Sequence, residues 1–193
     1  MDAAITKTNP LGTERIGKLI VTFAVPGIIS MVVNALYNIV DQIFIGQGVG
    51  YLGNGATNVV MPMTVMAIAL SILIGDGAAA YLSLKLGEGD EKSAARGVGC
   101  SISVMAVTGI VLCVLFNLFL EPLCRLFGAT EDILPYAVDY GRIISYGILF
   151  SSIDSGMAGM IRADGSPKYS MAGLLVGCIT NIILDPVFIF IFH

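Results

Sequence analysis

Long stretches without a single charged side chain constrain this chain most. Residues 19–40, 42–75, 97–120 and 169–184 contain no Asp, Glu, Lys or Arg, and a fifth uncharged stretch, 143–153, lies inside a longer apolar segment. A helix crosses the hydrocarbon core of a bilayer with about 20 mostly apolar residues, whereas a barrel strand needs only about 10. Backbone polar groups surrounded by lipid must bond within their own segment, so runs of this length are helices. The sequence therefore predicts an all-α membrane protein. Its spans fall at about 19–43, 57–84, 97–120, 136–161 and 169–192, behind a polar segment, residues 1–18.

Composition excludes the main alternatives. Charged residues make up 12% of the 193 and hydrophobic residues 56%; soluble domains carry about 25% charged residues. A soluble enzyme and a disordered chain are ruled out. With a net charge of −4 and ten Lys plus Arg, there is no basic face for nucleic acid. Cys100, Cys113, Cys124 and Cys178 show no paired spacing and read as packing residues, neither metal ligands nor a disulfide framework. The polar N-terminal segment and the absence of a small-residue cleavage pattern after the first apolar run argue against a secretory signal. No Walker, HExxH or GxSxG pattern occurs, and the one histidine is His193. The chain reads as a non-enzyme with no cofactor.

The basic residues orient the spans. Lys7, Arg15, Lys18, Lys85, Lys92, Arg96, Arg162 and Lys168 fall on one side of the proposed spans, leaving only Arg125 and Arg142 towards the other. The N-terminus is expected to be cytoplasmic in a multi-pass protein of the cytoplasmic membrane.

Ionisable residues inside spans carry the functional signal, since each costs about 2.5–3.5 kcal/mol at mid-bilayer. Asp41, Asp76, Asp154 and Asp185 are the four. On span 1, Ser30, Asn34, Tyr37, Asn38 and Asp41 are spaced four, three, one and three apart, which gathers them on one helical face. Pro26 lies upstream on the same span and provides a hinge. On span 5, Gly173, Gly177, Asn181 and Asp185 recur at every fourth position. The glycines are expected to let a neighbouring helix approach, and Pro186 to disturb the helix beyond them. Span 4 carries a weaker version of the pattern, with Gly147, Ser151, Asp154, Ser155 and Ala158. Asp76, close to a span end, reads as a packing residue, and Asp139 and Arg142 as a surface pair. Met31, Met61, Met63 and Met66 suit a pliable cavity lining, although core or lipid contact is the simpler reading.

Two carboxylates close together in a low dielectric cannot both stay charged cheaply, so one takes a proton or a cation joins them. Amide, hydroxyl and carboxylate oxygens are hard ligands that suit H⁺ or Na⁺.

NALYNIVDQIFIG, IRADGSPK and NIILDPVFIF, with LGTERIGKLIVTFAVPGIISM and KLGEGD, appear in order from about residue 10 onward. Together they resemble the multidrug and toxic compound extrusion (MATE) family. The resemblance implies a secondary antiporter of two six-helix lobes that exports cationic or amphipathic compounds in exchange for H⁺ or Na⁺. It implies a cation site at Asp41, Asn181 and Asp185, a supporting polar face of Asn34, Tyr37, Asn38 and Asp154, and a bend at Pro26. Where many relatives carry Asn on helix 4, this sequence has Met157-Ala158-Gly159, and Asp154 stands one turn away. The chain reads as five helices of the N-lobe, with the C-terminal lobe missing or supplied by a partner chain. Its other partners would be the lipid bilayer and the exported small molecule. Competing readings are an inactive truncated product, a small membrane interaction protein, and a flippase for a lipid-linked substrate. A lone intramembrane cation, Arg142, disfavours the last.

Overall fold

The computed structural model describes residues 15–190. These form α1 (Ile16–Gly48), α2 (Tyr51–Gly87), α3 (Glu91–Leu118), the short α4 (Leu120–Leu126), α5 (Leu134–Ala163) and α6 (Pro167–Phe190), with no strand among the described residues. The five expected spans correspond to α1, α2, α3, α5 and α6. Residues 191–192 of the last span, and residues 1–14 of the polar segment, lie outside the described residues. α4 was not foreseen; Arg125 anchors it through ion pairs to Glu121 at 3.1 Å and Glu131 at 2.7 Å.

Four helices, α1, α2, α3 and α6, are long and apolar enough to cross a membrane. α5 is as long, with 30 residues, but carries Asp139, Arg142, Asp154 and Arg162. All four are exposed. α5 packs chiefly on α2 and α3 and also touches α4 and α6, so much of its surface meets protein. Many of its buried positions are small: Gly141, Ser145, Ser152, Gly156 and Gly159.

Helix ends differ from expectation where glycine serves packing. The Gly-rich stretch 44–56 reads as a loop, yet α1 runs to Gly48 and α2 starts at Tyr51. Only Gly50, at φ +82°, uses the left-handed region there. Gly53 and Gly55 sit within α2, where a Cβ would come within 2.7 Å of Val49 and 2.8 Å of Ile133 respectively. At the other end of α2, Lys85 pairs with Glu88 at 2.7 Å. Asp90 caps α3 by accepting the Ser93 N–H at 3.1 Å. Hydrogen bonding from Ser93 holds the Asp90 carboxyl below its usual range.

The α2–α3–α5 core has two clusters. One contains Val60, Met63, Phe116, Leu120, Cys124 and Ile148; the other contains Ala78, Leu82, Ala94, Met105 and Met160. Between them α2 and α5 meet backbone to backbone. A Cβ on Gly75 would overlap Gly156, and one on Gly156 would overlap the Met105 sulfur. Asn117 Nδ2 on α3 donates to Ser145 Oγ on α5 at 2.5 Å, and that hydroxyl donates to the Arg142 carbonyl at 2.7 Å.

α1 and α6 form a second unit, packed mainly on each other and more thinly on α2 and α5. Pro26 is the buried residue of α1; Ile28, Met31, Val32, Leu36 and Ile39 are exposed, a surface suited to hydrocarbon. Gly173 and Gly177 do not serve the close approach expected of them, since a Cβ on either meets nothing within 4 Å. The small-residue contact lies at Gly75 and Gly156 instead. The expected Asp139–Arg142 pair is not among the ion pairs formed by the described residues; both residues are exposed, where such pairs gain little.

Candidate functional site

The polar face of α1 is real, and it opens into two clefts. Towards the start of α1, Pro26, Ser30, Met31 and Asn34 face Pro167, Ser170 and Met171 of α6 across a cleft of about 480 Å³, with Arg162 of α5 at its edge. Further along, Tyr37, Asn38, Asp41 and Gln42 face Thr57, Asn58 and Met61 of α2 and Tyr140 of α5 across a cleft of about 370 Å³. The stripe is thus shared between two chambers. Asn38 Nδ2 links them by donating to the Asn34 carbonyl at 2.7 Å and to Asn34 Oδ1 at 3.2 Å.

α1 continues through Pro26, and α6 through Pro186, without interruption. The disturbance expected at Pro186 is therefore confined to the bond its ring cannot donate, which leaves the Ile182 carbonyl without that partner. The Asn181 amide satisfies its surroundings when its nitrogen faces Asp185; Nδ2 then donates to the two carboxylate oxygens at 2.6 and 3.1 Å. This is the four-residue spacing of the sequence expressed as one hydrogen-bonded pair. Asp185 lies within electrostatic reach of Asp41, and Tyr37 within reach of both. Asp41 and Asp185 are each half-buried.

Other sequence candidates are placed differently. Asp154 is exposed on α5 and lines neither cleft. Ala158 accepts a hydrogen bond from Ser170 Oγ through its carbonyl at 3.4 Å. Asp76 rests against α5, where a Cβ on Gly159 would come within 2.7 Å of its Oδ1, in keeping with a packing role. Of the methionines, Met31 and Met61 line the clefts, Met63 is 2% exposed in the core and Met66 is exposed at the surface.

Sequence reading missed Tyr140, Gln42, Thr57 and Asn58. Thr57 Oγ1 is 3.5 Å from the Gln42 side chain and donates to the Asn54 carbonyl at 2.9 Å. Asn58 Nδ2 donates to the same carbonyl at 2.7 Å. A signal was present: Asn54, Thr57 and Asn58 repeat the three-to-four spacing at the head of α2. Gly46 makes room for this group, since a Cβ there would meet Asn54 Nδ2 at 2.9 Å.

A family model described as MatE matches residues 26–187. The chain belongs to the MatE family. Its match to the Bacillus subtilis protein named probable multidrug resistance protein YoeA is 26% identical over 189 residues, 95% of this chain and 41% of that protein. Multidrug export protein MepA of Staphylococcus haemolyticus is 29% identical over 180 residues, 91% of this chain and 39% of its own length. The solved structure of the MATE multidrug transporter DinF-BH superposes with a TM-score of 0.86 at 33% identity, covering 93% of this chain and 40% of that one. This MatE chain thus spans about 40% of the length of the relatives it matches. Multiple apolar helices and membership of a transporter family make it a multi-pass membrane protein.

Proposed function

We propose that this MatE chain supplies five helices of the N-terminal lobe of a secondary antiporter that exports cationic or amphipathic drugs across the cytoplasmic membrane. The driving ion, H⁺ or Na⁺, binds at Asp41, Asn181 and Asp185. One observation carries the reading: Asp41, which lines the second cleft on the polar face of α1, lies within electrostatic reach of Asp185, the residue that pairs with Asn181 on α6. With Asn181 Nδ2 turned to Asp185, its Oδ1 is left to accept, so the donor set is two carboxylates and an amide oxygen. Those are hard ligands for a proton or an alkali cation.

In this mechanism the end of the bundle bearing Lys18, Lys85 and Arg162 faces the cytoplasm, which puts Asp41 and Asp185 in the outer half of the bilayer. Drug occupies the cleft beside Asp41 while the carboxylates are charged. Binding of the external ion neutralises the pair, removes the attraction for a cationic drug, and lets α1 pivot at Pro26 to narrow the cleft. The ion biases a two-state element because it binds one state better than the other. Met31 and Met61 suit varied apolar ligands, since methionine repacks at little cost.

The test is export in cells stripped of their own drug exporters. The full-length protein should lower accumulation of a lipophilic cationic dye, and collapse of the ion gradients should restore it. Unchanged dye levels on expression of a folded, membrane-inserted protein would overturn the proposal.

A further inference from the structure

A third hollow lies away from both clefts, in the groove between α2 and α3 near the basic end of the bundle. It encloses about 530 Å³ and is lined by Gly77, Ala78 and Tyr81 of α2 and by Arg96, Gly97 and Cys100 of α3, with Ser93 and Ser101 beside them. Its construction is specific. Gly97 lacks the Cβ that would come within 2.6 Å of the Tyr81 ring, so an edge of the ring abuts α3 and walls the hollow. Lys85 Nζ stands 5.9 Å from the centre of that ring.

Of the charged residues around the hollow, one lines it. Lys85 is paired with Glu88, and the Asp90 carboxylate is engaged by Ser93 at the cap of α3. Glu91 and Lys92 follow on α3 and do not line the hollow. Arg96 does line it, and its side chain forms no ion pair or hydrogen bond among the described residues. An arginine that carries no protein partner, held at the mouth of a groove between membrane helices, is suited to a phosphate group. Inward of it the groove becomes small and apolar. One turn further along each helix, Leu73 and Val104 are 70% and 45% exposed, which continues an apolar track into the hydrocarbon. A cation and a tyrosine at headgroup depth above such a track match a phospholipid better than a free ion.

We propose that the α2–α3 groove is a binding site for an anionic phospholipid, with Arg96 on its phosphate, the Tyr81 hydroxyl as a second donor, and an acyl chain along Gly77, Ala78 and Cys100. The site is separate from the drug and ion clefts and stands whether or not the transport mechanism above holds.

The test is titration of the purified full-length protein in detergent with dihexanoyl phosphatidylglycerol, followed by native mass spectrometry. Dihexanoyl phosphatidylcholine and inorganic phosphate serve as comparison ligands. Arg96→Gln should weaken phosphatidylglycerol binding about fivefold or more, the worth of one cation near a membrane surface. Cys100→Trp, which fills the track and keeps the charge, should weaken it as well. Arg96 and Cys100 are both exposed, so neither change disturbs the core, and an unshifted gel-filtration profile confirms folding. Binding unaffected by Arg96→Gln, or equal for phosphatidylcholine, would overturn the site. Inorganic phosphate that displaces the lipid at equal concentration would overturn the lipid assignment.

Discussion

Gly75 and Gly77 stand two residues apart on α2 and should respond oppositely to the same substitution. A Cβ on Gly75 would lie 2.5 Å from Gly156 Cα and 2.8 Å from Gly156 C. Those atoms are backbone of α5 and cannot rotate away. Carbon atoms in ordinary contact sit about 3.5–4.0 Å apart, so Gly75→Ala must part the two helices by about 1 Å. A gap of that size forfeits about a quarter to a half of the attraction in each contact, at about 0.1–0.2 kcal/mol per pair. About 40 pairs along the seam would lose about 2–3 kcal/mol, the upper part of the overpacking range. Alanine's better helix propensity returns up to about 1 kcal/mol, leaving a net loss of about 2 kcal/mol. For a chain of this size that is a fall in Tm of about 4–8 °C. At Gly77 a Cβ meets nothing within 4 Å, so Gly77→Ala keeps only the propensity gain. With the exposed Cys100 replaced by Ser, a thiol-reactive fluorophore can follow thermal unfolding in detergent, because Cys124 and Cys178 are 0% and 7% exposed. Equal Tm values for the two variants, or a neutral Gly75→Ala, would refute the backbone contact between α2 and α5.

Three further outcomes are expected. Asn117→Ala removes the side-chain bond between α3 and α5 and should cost about 1 kcal/mol, within the range for hydrogen bonds between membrane helices; adding Ser145→Ala should cost little more if the two act through each other. Asp90→Ala should speed hydrogen exchange in the first turn of α3. Ser93 lowers the folded-state pKa of Asp90 from 3.8, so the wild-type advantage is full above that value and is lost as pH falls through the folded pKa; a difference that persisted in stronger acid would exclude the cap as its cause. Gly177→Ala should leave Tm unchanged or slightly raised, because no neighbour meets its Cβ within 4 Å; a large fall would show that α6 has a closer partner.

Uncharged runs and helical spacing made much of this molecule legible. The runs locate the five long helices because desolvation of charge is costly enough to leave few exceptions. The spacing from Ser30 to Asp41 identifies the polar face of α1, and the interval from Asn181 to Asp185 places two side chains within one hydrogen bond. Spacing along one helix says nothing of what stands opposite it. Tyr140 is more than 90 residues from Asp41 in sequence, and only packing of α5 brings it to the cleft. Glycine misled for the same reason. The chain has 23 glycines, and Gly173–Gly177 has the spacing of a close helix contact while facing open space. Gly75 and Gly156, which do touch, lie in repeats of the same kind, Ala67-Ser71-Gly75 on α2 and Ser152-Gly156 on α5, so the spacing does not choose between the sites. α5 carries Asp139, Arg142, Asp154 and Arg162 at exposed positions, so its uncharged stretch is shorter than those of the other long helices.

Reconstituted transport tests the central proposal most directly. Full-length wild-type protein and the Asp41→Asn and Asp185→Asn variants would be placed in proteoliposomes, and dye movement followed under an imposed pH gradient and, separately, an imposed Na⁺ gradient. One of the two gradients should drive the wild type, and each variant should lose at least about 90% of that driven flux, about 1.4 kcal/mol of coupling. Gradient-driven flux that survives in both variants at the wild-type rate would contradict a coupling site at Asp41 and Asp185.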